Sequence, residues 1–157
     1  LLFSFIFTCS LIVITFVDFE HQIIPDIITL PGIPIFFLMA VFTMGISWLD
    51  AALGLLIGGG ILYAIALGYE LIRKTEGMGG GDIKLLAMIG AFFGWKSLFF
   101  ILFVSSFLGA IVGLTVILIK GKDMKYAVPF GPFLSLAAIA YIFWGDNFIR
   151  FLLIRYY

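Results

Sequence analysis

Long stretches of the chain contain no charged side chain, and this restricts the fold more than any other feature of the sequence. A helix needs about 20 mostly apolar residues to cross the roughly 30 Å hydrocarbon core of a bilayer. Five of the six uncharged runs are long enough, if a truncated start is allowed for the first. The runs are Leu1–Val17, Ile27–Leu49, Ala51–Tyr69, Leu85–Trp95, Ser97–Ile119 and Tyr126–Gly145.

The scarcity of charge excludes a water-soluble domain. Only 11% of the 157 residues are charged, whereas about a quarter are charged in a typical soluble domain. We therefore predict an all-α polytopic membrane protein with about six transmembrane helices and no sheet, and treat residues 1–157 as a single domain embedded in the lipid bilayer. The net charge is zero, so nothing indicates a nucleic-acid partner.

The fourth run, Leu85–Trp95, is shorter than the others. Its 11 residues would extend about 16 Å as a helix. It reaches only part of the way across a bilayer unless flanking residues such as Asp82 and Lys84 belong to the same helix.

Basic residues predict the orientation. If the six runs alternate in direction, six basic residues lie on one side and three on the other, and the richer side is expected to be cytoplasmic. The first group is Arg73, Lys74, Lys84, Lys120, Lys122 and Lys125, and the second is Lys96, Arg150 and Arg155. Most acidic residues between the runs fall on the first side.

Two acidic motifs lie on that side. In "FVDFEHQIIPDIITLPG", Asp18 directly follows the first apolar run and should end a helix near the membrane boundary. Pro25 is expected to keep Ile24 out of a helix, and Pro31 and Pro34 are expected to interrupt or restart the helix that follows.

The second motif, "EGMGGGDIKLL", places Asp82 after a run of glycines. Glycine permits backbone conformations closed to other residues and lets a peptide approach closely. We expect Gly79, Gly80 and Gly81 to form a deformable loop that carries Asp82. A Gly-x-x-x-Gly spacing at Gly109 and Gly113 is a weak indication of close helix contact.

Simpler interpretations exist for each of these residues. Asp82 could merely cap the next helix, because Asp is favoured at such positions, and Asp18 could be an interfacial carboxylate in headgroup water. Glu20 and Glu76 could be solvated loop residues. However, ionisable residues at the membrane are costly and often functional.

A pair of carboxyl groups has a distinct chemistry. Two carboxylates within a few ångströms cannot both ionise readily, so they share a proton. An aspartic protease uses such a pair: the charged member draws a proton from water while the neutral member protonates the scissile carbonyl oxygen. Spacing alone does not show that Asp18 and Asp82 meet.

Three segments resemble those of bacterial type IV prepilin peptidases, which are intramembrane aspartic proteases of the Gly-x-Gly-Asp class. The segments are "VDFEHQIIPDIITLPGI", "EGMGGGDIKLLAMIGAFFGWK" and "VPFGPFLSLAA". The resemblance implies that Asp18 and Asp82 are catalytic and that Gly79, Gly80 and Gly81 form the signature before Asp82. Asp26 is a competing candidate for the first aspartate, ranked behind Asp18.

The resemblance also implies a substrate and a location. Such enzymes cut the basic leader from prepilins and pseudopilins at the cytoplasmic face of the bacterial inner membrane. We expect an acidic rim of Glu20, Asp26 and Glu76 to attract the leader. We expect no cofactor and no metal, because His21 is the only histidine.

One feature departs from the family pattern. Many members carry an additional N-terminal region with paired Cys-x-x-Cys motifs linked to methylation, but this chain has only Cys9. These residues therefore do not support methyltransferase activity. Cys9 itself cannot form an intrachain disulfide, and we expect it to be a small buried side chain.

Other functions fit part of the pattern. A preflagellin-type peptidase would share the dyad but cut another substrate. A small proton or cation transporter could use the two aspartates as a relay, although the interiors of the apolar runs contain no carboxylate. In a structural membrane subunit, the two aspartates would only cap helices.

Overall fold

The computed structural model describes residues 2–73, 79–120 and 129–154, which form helices and no strand. The helices are α1 (Leu2–His21), α2 (Asp26–Thr43), α3 (Trp48–Arg73), α4 (Gly80–Phe93), α5 (Trp95–Lys120) and α6 (Gly131–Ile154). Four of them, α1, α2, α3 and α5, are long and apolar enough to cross a membrane. The prediction of an all-α multi-pass membrane protein is confirmed.

Helix α4 is the short central element of the bundle. Its 14 residues extend about 21 Å. They include Asp82 and Lys84, the flanking residues that were considered as an extension of the fourth uncharged run. Every residue from Leu85 to Phe92 is buried. A helix apolar on all sides and buried on all sides is surrounded by other helices, so α4 holds its first turn in a fixed place among them.

Glycines bring α3 and α4 into close contact. A side chain at Gly54 would collide with the backbone carbonyl of Gly90, and one at Gly58 would come within 2.7 Å of the Leu86 carbonyl oxygen. Small residues permit this approach in membrane helices, where packing rather than exclusion of water drives association. The weak indication of close contact at Gly109 and Gly113 finds no support at Gly113, where no described residue lies within 4 Å of an added Cβ.

Aromatic side chains join four helices at the end of α4. The ring of Phe92 stacks on Phe7 of α1 with centroids 4.2 Å apart, and Phe36 of α2 meets Phe7 edge to face at 4.9 Å. Phe93 in turn meets Tyr141 of α6 with centroids 5.0 Å apart. Such pairs add to the packing of the buried area, so this cluster fixes the end of α4 remote from Asp82.

Two boundaries within α2 and α3 differ from the sequence-based expectation. The uncharged run Ile27–Leu49 does not form one helix. Helix α2 ends at Thr43 and α3 begins at Trp48, and Gly45 adopts φ +69° in the turn between them.

The interruption expected at Pro31 and Pro34 was wrong, since both prolines lie inside α2. Each proline removes one backbone donor, and a membrane helix surrounded by neighbours tolerates such a loss. Pro25 precedes α2, and Ile24 is non-helical as expected.

The buried residues of α1 lie on one face. Phe7, Leu11, Ile14 and Asp18 are its buried side chains, at intervals of three or four residues, which place them on one side of a helix. Asp18 therefore continues the stripe that faces the centre of the bundle. Cys9 lies off this stripe and is exposed, so the expectation that it is buried was wrong.

The glycine contact generates a stability test. We expect Gly54→Ala to lower the free energy of unfolding by about 1–3 kcal/mol, because the methyl group forces α3 away from the Gly90 carbonyl. Gly60→Ala in the same helix is the matched control, because an added Cβ there meets no described residue within 4 Å. Thermal unfolding of both variants in one detergent compares them, and equal midpoints would contradict the close contact.

Candidate active site

The end of α1 and the starts of α2, α4 and α6 meet at one end of the bundle. Asp18 contacts Gly131, the first residue of α6. Ile24, in the connection between α1 and α2, contacts both Gly131 and Gly81 of α4. Asp26, the first residue of α2, binds Lys84 of α4. The two acidic motifs, remote in sequence, are thus assembled at one place.

Asp18 is the buried member of the site. It lies in the last turn of α1 and only 4% of its surface is exposed. Its carboxylate accepts a hydrogen bond from the backbone N–H of Gly131. The first N–H groups of a helix lack partners within the helix and attract negative charge. The start of α6 therefore stabilises the ionised form of this carboxylate.

Asp82 is the more accessible member. It is the third residue of α4 and is partly buried, and its backbone N–H donates to the Gly79 carbonyl at 3.2 Å. Gly79 occupies the N-cap position, and no side-chain cap hydrogen bond is formed there. Asp82 is therefore not the N-cap residue of α4. The negative charge of Asp18 acts on the carboxyl group of Asp82.

The signature glycines do not all lie in a loop. Gly79 is extended at the N-cap, whereas Gly80 and Gly81 form the first turn of α4. The expectation of a deformable loop is wrong for these two residues. A Cβ at Gly81 would lie 2.7 Å from Cβ of Ile24, so the absence of a side chain permits close packing just before Asp82.

The residues expected to attract a basic leader have different surroundings. Glu20 is exposed, with one carboxylate oxygen 3.9 Å from Nε2 of His21. Asp26 forms two short contacts with Nζ of Lys84, at 2.8 and 2.7 Å, so its charge is already paired. Glu76 lies outside the described residues.

Sequence reasoning assigned no role to Gly131 or Ile24. Gly131 lies within "VPFGPF", a segment used for the family resemblance, but nothing in the sequence indicated its contact with Asp18. Ile24 was noted only as the residue before Pro25. In the described part of the chain, no group of three or more His, Cys, Asp or Glu side chains could hold a metal ion.

The fold and site define a helical membrane protein with two interacting carboxyl groups at one end of its bundle. The model of the type IV leader peptidase family matches residues 5–114, a segment that includes Asp18 and Asp82. The chain belongs to this family.

Relatives that match the chain carry the name prepilin leader peptidase/N-methyltransferase. The protein from Pseudomonas putida is 37% identical over 140 residues, or 89% of this chain and 49% of the relative. The one from Aeromonas hydrophila is 35% identical over 156 residues, 98% of this chain and 53% of the relative. The one from Legionella pneumophila is 37% identical over 151 residues, 96% of this chain and 52% of the relative. The chain spans about half the length of these curated relatives, and no solved structure matches it.

The Asp26–Lys84 pair generates a measurable coupling. It is largely solvent-accessible, with 36% and 54% of the Lys84 and Asp26 side chains exposed, and such pairs contribute about 0.2–1 kcal/mol. A double-mutant cycle with Asp26→Ala and Lys84→Ala, measured by thermal unfolding, should give a coupling in that range that falls in high salt. A coupling of zero in low salt would show that the pair does not join α2 to α4.

Proposed function

We propose that this chain is the catalytic part of a membrane-embedded aspartic endopeptidase that removes the basic leader from type IV prepilins or pseudopilins. Asp18 and Asp82 are its acid–base pair. The main structural support is the electrostatic interaction of two carboxyl groups that are 64 positions apart in the chain, one buried in the last turn of α1 and the other in the first turn of α4. Family membership supports the same reaction.

The proposed chemistry needs only the two carboxyl groups and a water molecule. One ionised carboxylate takes a proton from the water, whose oxygen attacks the scissile carbonyl carbon, while the protonated partner donates its proton to the carbonyl oxygen. The resulting tetrahedral diol then collapses: its C–N bond breaks, the protonated carboxyl group gives its proton to the leaving nitrogen, and the other carboxylate takes the proton of one diol hydroxyl as the C=O bond re-forms, which restores the singly protonated pair. No covalent enzyme intermediate forms.

The positions of the two carboxyl groups suit this division of labour. Asp18 is almost fully buried and its carboxylate has a backbone donor, the N–H of Gly131. Asp82 is partly exposed at the tip of α4, where water and a peptide bond can reach it. Two carboxyl groups that interact electrostatically disfavour double ionisation, and the proposed reaction uses the state in which one of them holds a proton.

The proposed location is the bacterial inner membrane, with the dyad facing the cytoplasm. Lys84 lies beside the site, and α3 and α5 end at the basic residues Arg73 and Lys120. An excess of basic residues marks the cytoplasmic side. Trp48 and Trp95 begin helices at the other end of the bundle.

An acidic rim is proposed to attract the basic leader. Glu20 is exposed one turn or less from Asp18, and Glu76 precedes the signature glycines in sequence. Asp26 is also a candidate, but a leader cation must displace Lys84 from it. The apolar stem that follows the leader in a prepilin would lie against the helices in place of lipid.

A proton or cation relay is less well supported. A relay through the bundle requires ionisable groups at intervals along its length. Among the side chains whose burial the structure describes, Asp18 is the one buried charged group, and the other buried polar residues bear hydroxyl groups: Thr29, Ser97, Ser105 and Ser135. A preflagellin-type peptidase would use the same dyad and differ in substrate.

The dyad is tested by removing one ionisable group at a time. We expect Asp18→Asn and Asp82→Asn each to lower the rate of prepilin cleavage at least a hundredfold, because an amide neither accepts nor supplies the required proton. Asp50→Asn is the matched control: Asp50 lies at the other end of the bundle, where its carboxylate accepts a hydrogen bond from Trp95 at 3.0 Å. The purified variants are compared by mass spectrometry of the cleaved leader.

Asp26→Asn discriminates between the two candidates for the first aspartate. It should leave most of the activity, because Asp26 is paired with Lys84 rather than with Asp82. Normal cleavage by Asp18→Asn, or loss of cleavage by Asp26→Asn alone, would overturn the assignment.

The rim is tested by reversing the charge at Glu20 and Glu76, the two rim positions other than Asp26. Glu20→Lys combined with Glu76→Lys should raise KM for a prepilin with a basic leader several-fold and should affect a substrate with a neutralised leader much less, because surface charges mainly steer association. The control is cleavage at high salt, where the difference should shrink. If the variant and the parent have the same KM for the substrate with the basic leader, the rim is removed from the proposal.

A further inference from the structure

Gly131 has no side chain at the point where α6 meets Asp18. A Cβ built there would lie 2.5 Å from Oδ2 of Asp18 and 3.3 Å from its carboxyl carbon. The carboxylate thus occupies the space that a side chain at position 131 would fill. The N–H of the same residue donates to this carboxylate, so Gly131 both binds Asp18 and leaves room for it.

Ile24 lies between the two helix starts that form the site. A Cβ at Gly131 would lie 3.0 Å from Cδ1 of Ile24, and one at Gly81 would lie 2.7 Å from its Cβ and 3.5 Å from its Cδ1. Ile24 is itself 7% exposed. One isoleucine side chain therefore packs against the backbone that precedes Asp82 and the backbone that holds Asp18.

We propose that Gly131 and Ile24 are positioning residues, which fix the separation and orientation of the Asp18 and Asp82 carboxyl groups through the contacts of Ile24 with the starts of α4 and α6. This inference rests on the proposed aspartic peptidase function and deepens it. Gly131 determines where the Asp18 carboxylate is held. Ile24 determines how far the start of α4, and with it Asp82, lies from the start of α6.

The physical reason is the steep dependence of proton transfer on geometry. Both carboxyl groups must reach one water molecule and one peptide bond, and a displacement of about 1 Å can lower a rate about a hundredfold. The connection between α1 and α2 is short and non-helical at residues 22–25. A β-branched side chain restricts its own rotation about the Cα–Cβ bond, which makes Ile24 a rigid spacer.

The first test is Gly131→Ala in the full chain, purified in detergent and assayed with a purified type IV prepilin. We expect kcat to fall about a hundredfold, because the methyl group displaces the Asp18 carboxylate from its donor, and KM to change less than threefold. Gly109→Ala is the matched control, since its Cβ would lie 3.6 Å from Phe133, an ordinary contact. It should keep the parental kcat.

The second test is a pair of substitutions at Ile24. Ile24→Ala removes the spacer and should lower kcat at least tenfold with little change in KM. Ile24→Val keeps the β-branched shape and should retain most of the parental kcat. Ile101→Ala removes the same atoms from a fully buried position in α5. It should destabilise the protein at least as much but keep kcat at temperatures below its unfolding midpoint.

The outcomes separate this inference from the function on which it rests. If Asp18→Asn and Asp82→Asn are inactive but Gly131→Ala and Ile24→Ala both keep the parental kcat, the positioning inference is overturned and the peptidase function stands. Loss of kcat in Ile101→Ala as large as in Ile24→Ala would also overturn it, because general destabilisation would then explain both. Activity in the two Asn variants would overturn the function itself.

Discussion

The burial of one carboxylate, Asp18, organises this end of the bundle. A charge removed from water is costly unless a donor compensates it, and here the donor is the backbone N–H of Gly131 at the start of α6. The contact requires α6 to begin beside the last turn of α1. It also leaves position 131 without space for a side chain. A single polar contact therefore joins the first and last described helices at the candidate site.

The central helix supplies the second carboxyl group. Helix α4 is too short to cross a bilayer and is buried along most of its length, so its first turn lies at a depth determined by its neighbours. Gly54 and Gly58 of α3 permit backbone contact along one side of it. At its other end, Phe92 stacks against Phe7 of α1. With the helix held on its side and at its end, Asp82 is presented at a defined place rather than on a mobile segment.

Several features could be predicted from sequence because they depend on local chemistry. The length of the uncharged runs indicated membrane helices, and Pro25 kept Ile24 out of a helix. The position of Asp18 directly after an apolar run placed it in the last turn of α1. The helical state of Gly80 and Gly81 could not be predicted, since glycine favours a loop on its own but here packs tightly against Ile24. The continuity of α2 through Pro31 and Pro34 likewise depends on its surroundings.

The sequence by itself determined that this chain forms apolar helices suited to a membrane and that Asp18 and Asp82 lie at the ends of two of them. It could not determine which face of each helix lies inside the bundle, because lipid and protein interior are both apolar and the helices are apolar all round. Only the tertiary structure showed that Asp18 continues the buried stripe of Phe7, Leu11 and Ile14. Only the tertiary structure showed the contacts of Gly131 with Ile24 and with Asp18, because each contact joins residues more than one hundred positions apart in the chain. The pairing of the two aspartates is a hypothesis from sequence, and the tertiary structure adds that the last turn of α1 and the first turn of α4 lie at the same end of the bundle.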